Sequence, residues 1–205
     1  MSRAIGVSCA AGLLLLCSSG WGIGATVRVP ADQPTIQAGV DAASSGDTVL
    51  VASGVYRGLG NRDIDILFKS LLVLSEDGSA ATVIDCEGSP WARHRAFHLT
   101  GTDPSSTSVL IRGFTIRNGW VRKAGGGLLC QSVKLTIADC IIESCSVSTT
   151  PPYTPPHSGG GMYCSASSVL AVDCAFESNV VGSWEEGCGS GGGVGFEDCE
   201  GDLAP

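Results

Sequence analysis

In the second half of the chain, apolar and polar residues alternate over runs of only three to five positions. Examples are Phe114/Ile116, Leu135/Ile137, Cys140/Ile142, Leu170/Val172 and Cys174/Phe176. A period of two over so short a run predicts strands rather than helices. One stretch has a different period. Ile36, Val40 and Ala43 fall at helical spacing, Pro34-Thr35 supplies a start with Thr35 or Asp32 as N-cap, and Ser45-Gly46-Asp47 stops the helix before a strand at Thr48–Ala52.

The strand pattern repeats. Gly125-Gly126-Gly127-Leu128-Leu129-Cys130 returns as Gly159-Gly160-Gly161-Met162-Tyr163-Cys164, and Asp139-Cys140-Ile141-Ile142-Glu143-Ser144 returns as Asp173-Cys174-Ala175-Phe176-Glu177-Ser178, both at an offset of 34. A third start follows at Gly191, and an earlier copy, Ile111 to Asn118, aligns with Ile137 to Ser144 at an offset of 26. The eight-residue difference falls in the Pro-rich stretch between Ser146 and Ser158, a loop by composition. Three short strands cannot bury a face alone. Stacked units let each strand pair with its copy at about 4.8 Å, so that inward residues form apolar columns with Cys130 over Cys164 and Cys140 over Cys174.

Composition narrows the function classes. The 205 residues carry 12 basic and 20 acidic side chains, a net charge of −8, which argues against nucleic-acid or anionic-membrane binding. Residues 1–25 read as a secretory signal peptide: Arg3, then an apolar region with Leu13–Leu16, then small residues around Gly24-Ala25. That apolar region is too short to span a bilayer. Export leaves eight cysteines, Cys86, Cys130, Cys140, Cys145, Cys164, Cys174, Cys188 and Cys199. They are either small apolar fillers of the stacked columns or disulfide partners, with Cys145, Cys188 and Cys199 favoured for disulfides because they border loops.

The segment from Val27 to Tyr56 resembles the start of bacterial right-handed parallel β-helix proteins of the pectin lyase-like superfamily. The Gly-Gly-Gly units with Phe176-Glu-Ser-Asn179 are similar to the GGA/FxxN repeats of polymorphic outer-membrane proteins. The resemblance covers about residues 27–199. It implies an all-β, right-handed parallel β-helix (a solenoid) over 26–205, with an N-terminal cap at 26–47, coils at 48–205, and a last coil that is incomplete, as in a C-terminally truncated chain. The helix would cover the open end of the apolar column.

The resemblance also implies two enzyme chemistries, a Ca²⁺-dependent lyase or a hydrolase with paired acids, but none of their motifs matches residue by residue. Asp139 and Asp173, one repeat apart, would lie close enough to hold Ca²⁺ or share a proton. The equivalent Gly113 favours a turn instead, with the Asp side chain satisfying the backbone. Asp63 and Asp65 share one strand face, His98 is expected to point to solvent, and no Ser/His/Asp or Cys/His set can be assembled. No catalytic, metal or cofactor residue is therefore assigned; Ca²⁺ would be required only by a lyase. Extensions at Asn118–Ala124, Cys145–Ser158 and Asn179–Ser190 place Trp120, Tyr153 and Trp184 outside the strands as candidate ligand-binding residues, since aromatic faces suit sugar rings or a protein partner. The expectation is a secreted or cell-surface repeat protein that binds a polysaccharide or a surface protein, or serves as a structural module. The alternative is a polysaccharide-degrading enzyme.

Overall fold

A computed structural model describes residues 24–148, 159–182 and 192–204. Its strands are β1 (Thr26–Val29), β2 (Thr48–Val51), β3 (Gly54–Tyr56), β4 (Ile64–Leu67), β5 (Leu71–Ser75), β6 (Thr82–Asp85), β7 (Phe97–Thr100), β8 (Ser108–Arg112), β9 (Thr115–Arg117) and β10 (Trp120–Val121). They continue as β11 (Leu128–Gln131), β12 (Lys134–Ala138), β13 (Ile141–Glu143), β14 (Ser146–Ser148), β15 (Met162–Ser165), β16 (Ser168–Val172), β17 (Ala175–Glu177), β18 (Val180–Gly182), β19 (Val194–Glu197) and β20 (Glu200–Ala204). The one helix among the described residues, α1 (Ile36–Ala42), lies between β1 and β2.

The strands form four parallel sheets, ordered β1-β2-β5-β8-β12-β16-β20, β19-β15-β11-β7-β4, β17-β13-β9-β6-β3 and β10-β14-β18. From β4 onward the chain visits the first three of these sheets in a fixed cycle, and from β10 onward each pass adds a strand to the fourth as well. The registers are those of the sequence repeats. Ile111 lies opposite Ile137, Ile142 opposite both Ile116 and Phe176, and Cys130 opposite Cys164. Alternation along each strand puts one face inside. Val49, Val73, Ile111, Ile137 and Ala171 form one buried column across five strands, and Ile66, Leu99, Cys130 and Cys164 form another. Phe97 and Phe114 meet edge-on inside, with ring centroids 6.3 Å apart.

Close passage of successive turns explains the repeated glycines. A Cβ on Gly126 would sit 2.3 Å from the Gly160 carbonyl oxygen and 2.8 Å from the Ser146 nitrogen, so no larger residue fits there.

The helix starts as the sequence predicts, with the Thr35 hydroxyl accepting from the Ala38 N–H at 3.2 Å. It ends earlier than Ser45: Ala43 is already extended. Its last turn carries no basic residue, and Lys69 supplies the missing charge, its Nζ donating to the carbonyls of Val40, Asp41 and Ala43 at 2.9–3.1 Å. Ile36 and Val40 are buried in the main core. Gln37 takes up the free backbone edge of β4: its side-chain amide donates to the Asp65 carbonyl and accepts from the Asp65 N–H. An edge strand without such partners invites pairing with another chain.

Several expectations need correction. The helix does not precede the first strand, because β1 comes before it and pairs with β2. The final unit, expected to lack its second and third strands, does form the second, because β20 pairs with β16. The extensions after the third strand are not wholly loop. Trp120–Val121, Ser146–Ser148 and Val180–Gly182 form a fourth sheet, with Val121, Val147 and Val181 stacked in a small core of their own. Trp120 therefore lies in a strand. Each of these strands contributes a single apolar residue to its core, so no alternation is visible and the sequence reads as loop.

The cysteines are free thiols among the described residues, and Cys86, Cys130, Cys140, Cys145 and Cys164 are buried. Cys145, favoured for a disulfide on its apparent loop border, fills the core instead. Its Sγ donates to the Glu143 carbonyl and accepts from the Gly119 N–H. Cys199 is half-buried and free, and Cys188 lies outside the described residues. Burial pushes the Cys140 and Cys145 thiols up to about 12, so both stay protonated and inert near neutral pH. They act as apolar fillers.

Candidate functional site

Of the three sequence-predicted ligand residues, the structure places Trp120; Tyr153 and Trp184 lie outside the described residues. Asn118 adopts a left-handed conformation (φ 57°) that turns the chain from β9 into β10. Trp120 is then fixed by its backbone, with the Trp120 N–H donating to the His94 carbonyl at 2.8 Å and the His94 N–H donating to the Trp120 carbonyl at 3.0 Å. The half-buried Trp120 walls a cleft of about 440 Å³ whose other faces include Arg57, Asp85, Glu87, Asn118 and Ser144. Gly88 also lines the cleft, and Trp91, three residues on, is 95% exposed.

Asp85 organises the cleft floor. Its side chain is 6% exposed and accepts from Arg57, from Arg117, from Asn118 Nδ2 at 2.9 Å and from the Glu87 N–H at 3.3 Å. Burial works to raise its pKa, but the hydrogen bonds from Asn118, Arg57 and the Glu87 N–H, with the Arg117 charge, together outweigh it and hold the carboxyl below its usual range. Glu87 is tied as well, accepting from Arg62 Nη1 at 2.6 Å and from the Gly58 N–H at 3.1 Å. Both acids are therefore ion-paired, Glu87 through Oε2 alone. The cleft combines an indole with hydrogen-bonding groups that are held in place by their own partners.

A second cluster lies on the outer face of the β4–β7–β11–β15–β19 sheet. Asp63 and Asp65 do share that side, as expected, but each engages a histidine of the next turn of chain. His94 Nδ1 is 2.6 Å from Asp63 Oδ2, and His98 Nδ1 is 2.9 Å from Asp65 Oδ1. His98 is thus half-buried and paired rather than simply solvent-facing, with Nε2 3.3 Å from Gln131 Oε1. Farther along the same face, Tyr163 donates to Glu197. Burial, then that carboxylate, pushes the Tyr163 phenol well above its ordinary pKa. A shallow groove of about 330 Å³ runs over Leu129, Gln131 and Tyr163. Sequence reasoning missed the two His–Asp pairs. Asp63 and Asp65 precede the recognisable repeats, so nothing in the sequence sets their register against His94 and His98.

Asp139 and Asp173 are turn residues. Both have φ 51°, and the equivalent Gly113 has φ 80°, so the position requires a left-handed backbone, which Asp tolerates and Gly takes without strain. The reason differs from the expected one. The Asp139 carboxylate does not satisfy the backbone but accepts from Arg112 Nε at 2.6 Å. Among the described residues, no group of three or more His, Cys, Asp or Glu side chains is placed to hold a metal ion. No described helix is long and apolar enough to cross a membrane. Compared with known proteins, the chain matches no protein-family model, no curated protein and no solved structure.

Proposed function

We propose that this chain is an exported, right-handed parallel β-helix whose turns serve as a rigid support, with α1 capping one end, and that it binds a glycan or a surface protein at its Trp120 edge. The fixed cycle of parallel strands supports the fold, and the Gln37–Asp65 contacts support the cap. The signal-like residues 1–25 support export. The observation that carries the binding reading is the Trp120 cleft, an aromatic wall facing hydrogen-bonding groups that are already locked in place. Retention on an immobilised polysaccharide array tests it. Wild-type protein should be retained on at least one glycan, and Trp120→Ala should weaken retention at least tenfold while the far-UV spectrum is unchanged. Equal retention of the variant would defeat the proposal.

The His94–Asp63 pair favours a second reading, a polysaccharide-degrading enzyme. A carboxylate that holds Nδ1 orients the imidazole and leaves Nε2 to exchange a proton with a substrate. Release of shortened sugars that is abolished in His94→Gln would support this reading, and binding without product would support the first.

A further inference from the structure

We propose that the cavity enclosed by Arg93, Arg95, Arg122 and Lys123 binds a tetrahedral oxyanion, phosphate or sulfate, free or as an ester on a larger molecule. The chain is acidic overall, yet four cations converge on one cavity of about 300 Å³. Most other arginines are committed: Arg57, Arg62, Arg112 and Arg117 are all ion-paired. Among the described residues, none of the four cavity cations has an ion pair or a side-chain hydrogen bond.

Exposed Arg93, Arg122 and Lys123 need no partner, because water solvates them. Arg95 differs. It is largely buried, and its Nη1 is shut off from solvent with no hydrogen-bond partner. Burial is also the main influence lowering its pKa, a sign that the charge is poorly solvated where it sits. The charges of Asp63 and Asp65 offset part of this cost without removing it, and a poorly solvated guanidinium is costly in a folded protein. Nη1 itself lies out of an anion's reach, but Arg95 also lines the cavity, and an anion there would offset its charge.

The one acid on the wall, Asp63, does not fill that role. Its Oδ2 is on His94 and its Oδ1 accepts from the Arg95 backbone N–H. Four positive charges against one carboxylate leave an excess that a dianion matches better than a single carboxylate does. Arg95 and Lys123 also line the groove over Leu129 and Tyr163, so an ester has room to extend along the sheet. The site is separate from the Trp120 cleft and does not depend on the glycan reading.

Isothermal titration calorimetry of the full chain at low ionic strength tests the proposal, with inorganic phosphate, inorganic sulfate and acetate as probes. Phosphate or sulfate should bind at least tenfold more tightly than acetate, and the tighter of the two indicates the ester class. Arg95→Gln should weaken binding at least tenfold. Arg122→Ala/Lys123→Ala, a surface change that leaves the core intact, should weaken it severalfold. No binding of either dianion, equal binding of acetate, or full binding by the Arg122/Lys123 double variant would overturn the proposal. Should Arg95→Gln fail to fold, the double variant decides.

Discussion

Replacing Asp85 with alanine should cost about 2–3 kcal/mol. The carboxylate serves Arg57, Arg117, Asn118 and the Glu87 N–H from a side chain that is only 6% exposed. Removing one member of a buried ion pair costs about 3–5 kcal/mol when the orphaned charge stays buried. Here the Arg57 and Arg117 side chains are 54% and 34% exposed and can turn to water, which lowers the figure. For a chain of this size each kcal/mol shifts Tm by about 2–4 °C, so the melting point should fall by roughly 5–10 °C. Urea titration followed by circular dichroism measures the loss.

The same network predicts a pH dependence. The folded-state pKa of Asp85 lies below the unfolded value of about 3.9, so the unfolded state binds the proton more readily. Its contribution is fully present above about pH 4 and is lost as the pH falls through the folded pKa. The stability gap between wild type and Asp85→Ala should therefore be constant from pH 7 to pH 5 and shrink towards pH 2. A loss below 1 kcal/mol at pH 7, or a gap that is the same at pH 7 and pH 2, would refute this account of the cleft floor.

Two further changes probe how the chain is held. Lys69→Met keeps the aliphatic stem but removes three charge-assisted bonds to the last carbonyls of α1. It should destabilise the helix by about 1–2 kcal/mol, seen as roughly tenfold faster amide exchange in Ile36–Ala42; unchanged protection would show that Lys69 does not hold the helix end. Asp173→Gly should be neutral or slightly stabilising because the backbone there is left-handed, whereas Asp173→Val should lower stability by about 1–2 kcal/mol, measured as urea midpoints; equal midpoints for the two variants would contradict the turn assignment.

The sequence revealed most where units repeat with long enough strands. The pairing of Cys130 with Cys164, and of Ile111 with Ile137, could be read from aligned glycines and apolar alternation. Thr35 was readable as one of two N-cap candidates, with Asp32, because its hydroxyl sits just before a helical apolar pattern, and the structure selects it. The fourth sheet was not readable, since Trp120–Val121 is too short to show a period. The free, buried state of Cys145 was hidden for the same reason: it joins β13 to β14, and without the second strand it looks like a loop residue. The His94–Asp63 pair and the orphaned Arg95 depend on a turn whose length differs from the repeat, so spacing alone could not align them. Within the candidate site only Trp120 was legible, because an indole in an apparent loop draws notice, whereas Asp85 gains its role only from partners on three separate segments.

The account rests on each turn of chain lying in register over the one before. Methyl–methyl nuclear Overhauser effects in methyl-labelled protein measure this directly along the column Val49, Val73, Ile111, Ile137 and Ala171. Strong cross-peaks should join each residue to its neighbours in that order and fade for residues two strands apart. Cross-peaks that skip a member, such as Val49 to Ile137 without Val73 to Ile111, or that follow an antiparallel pairing, would contradict the stacked architecture.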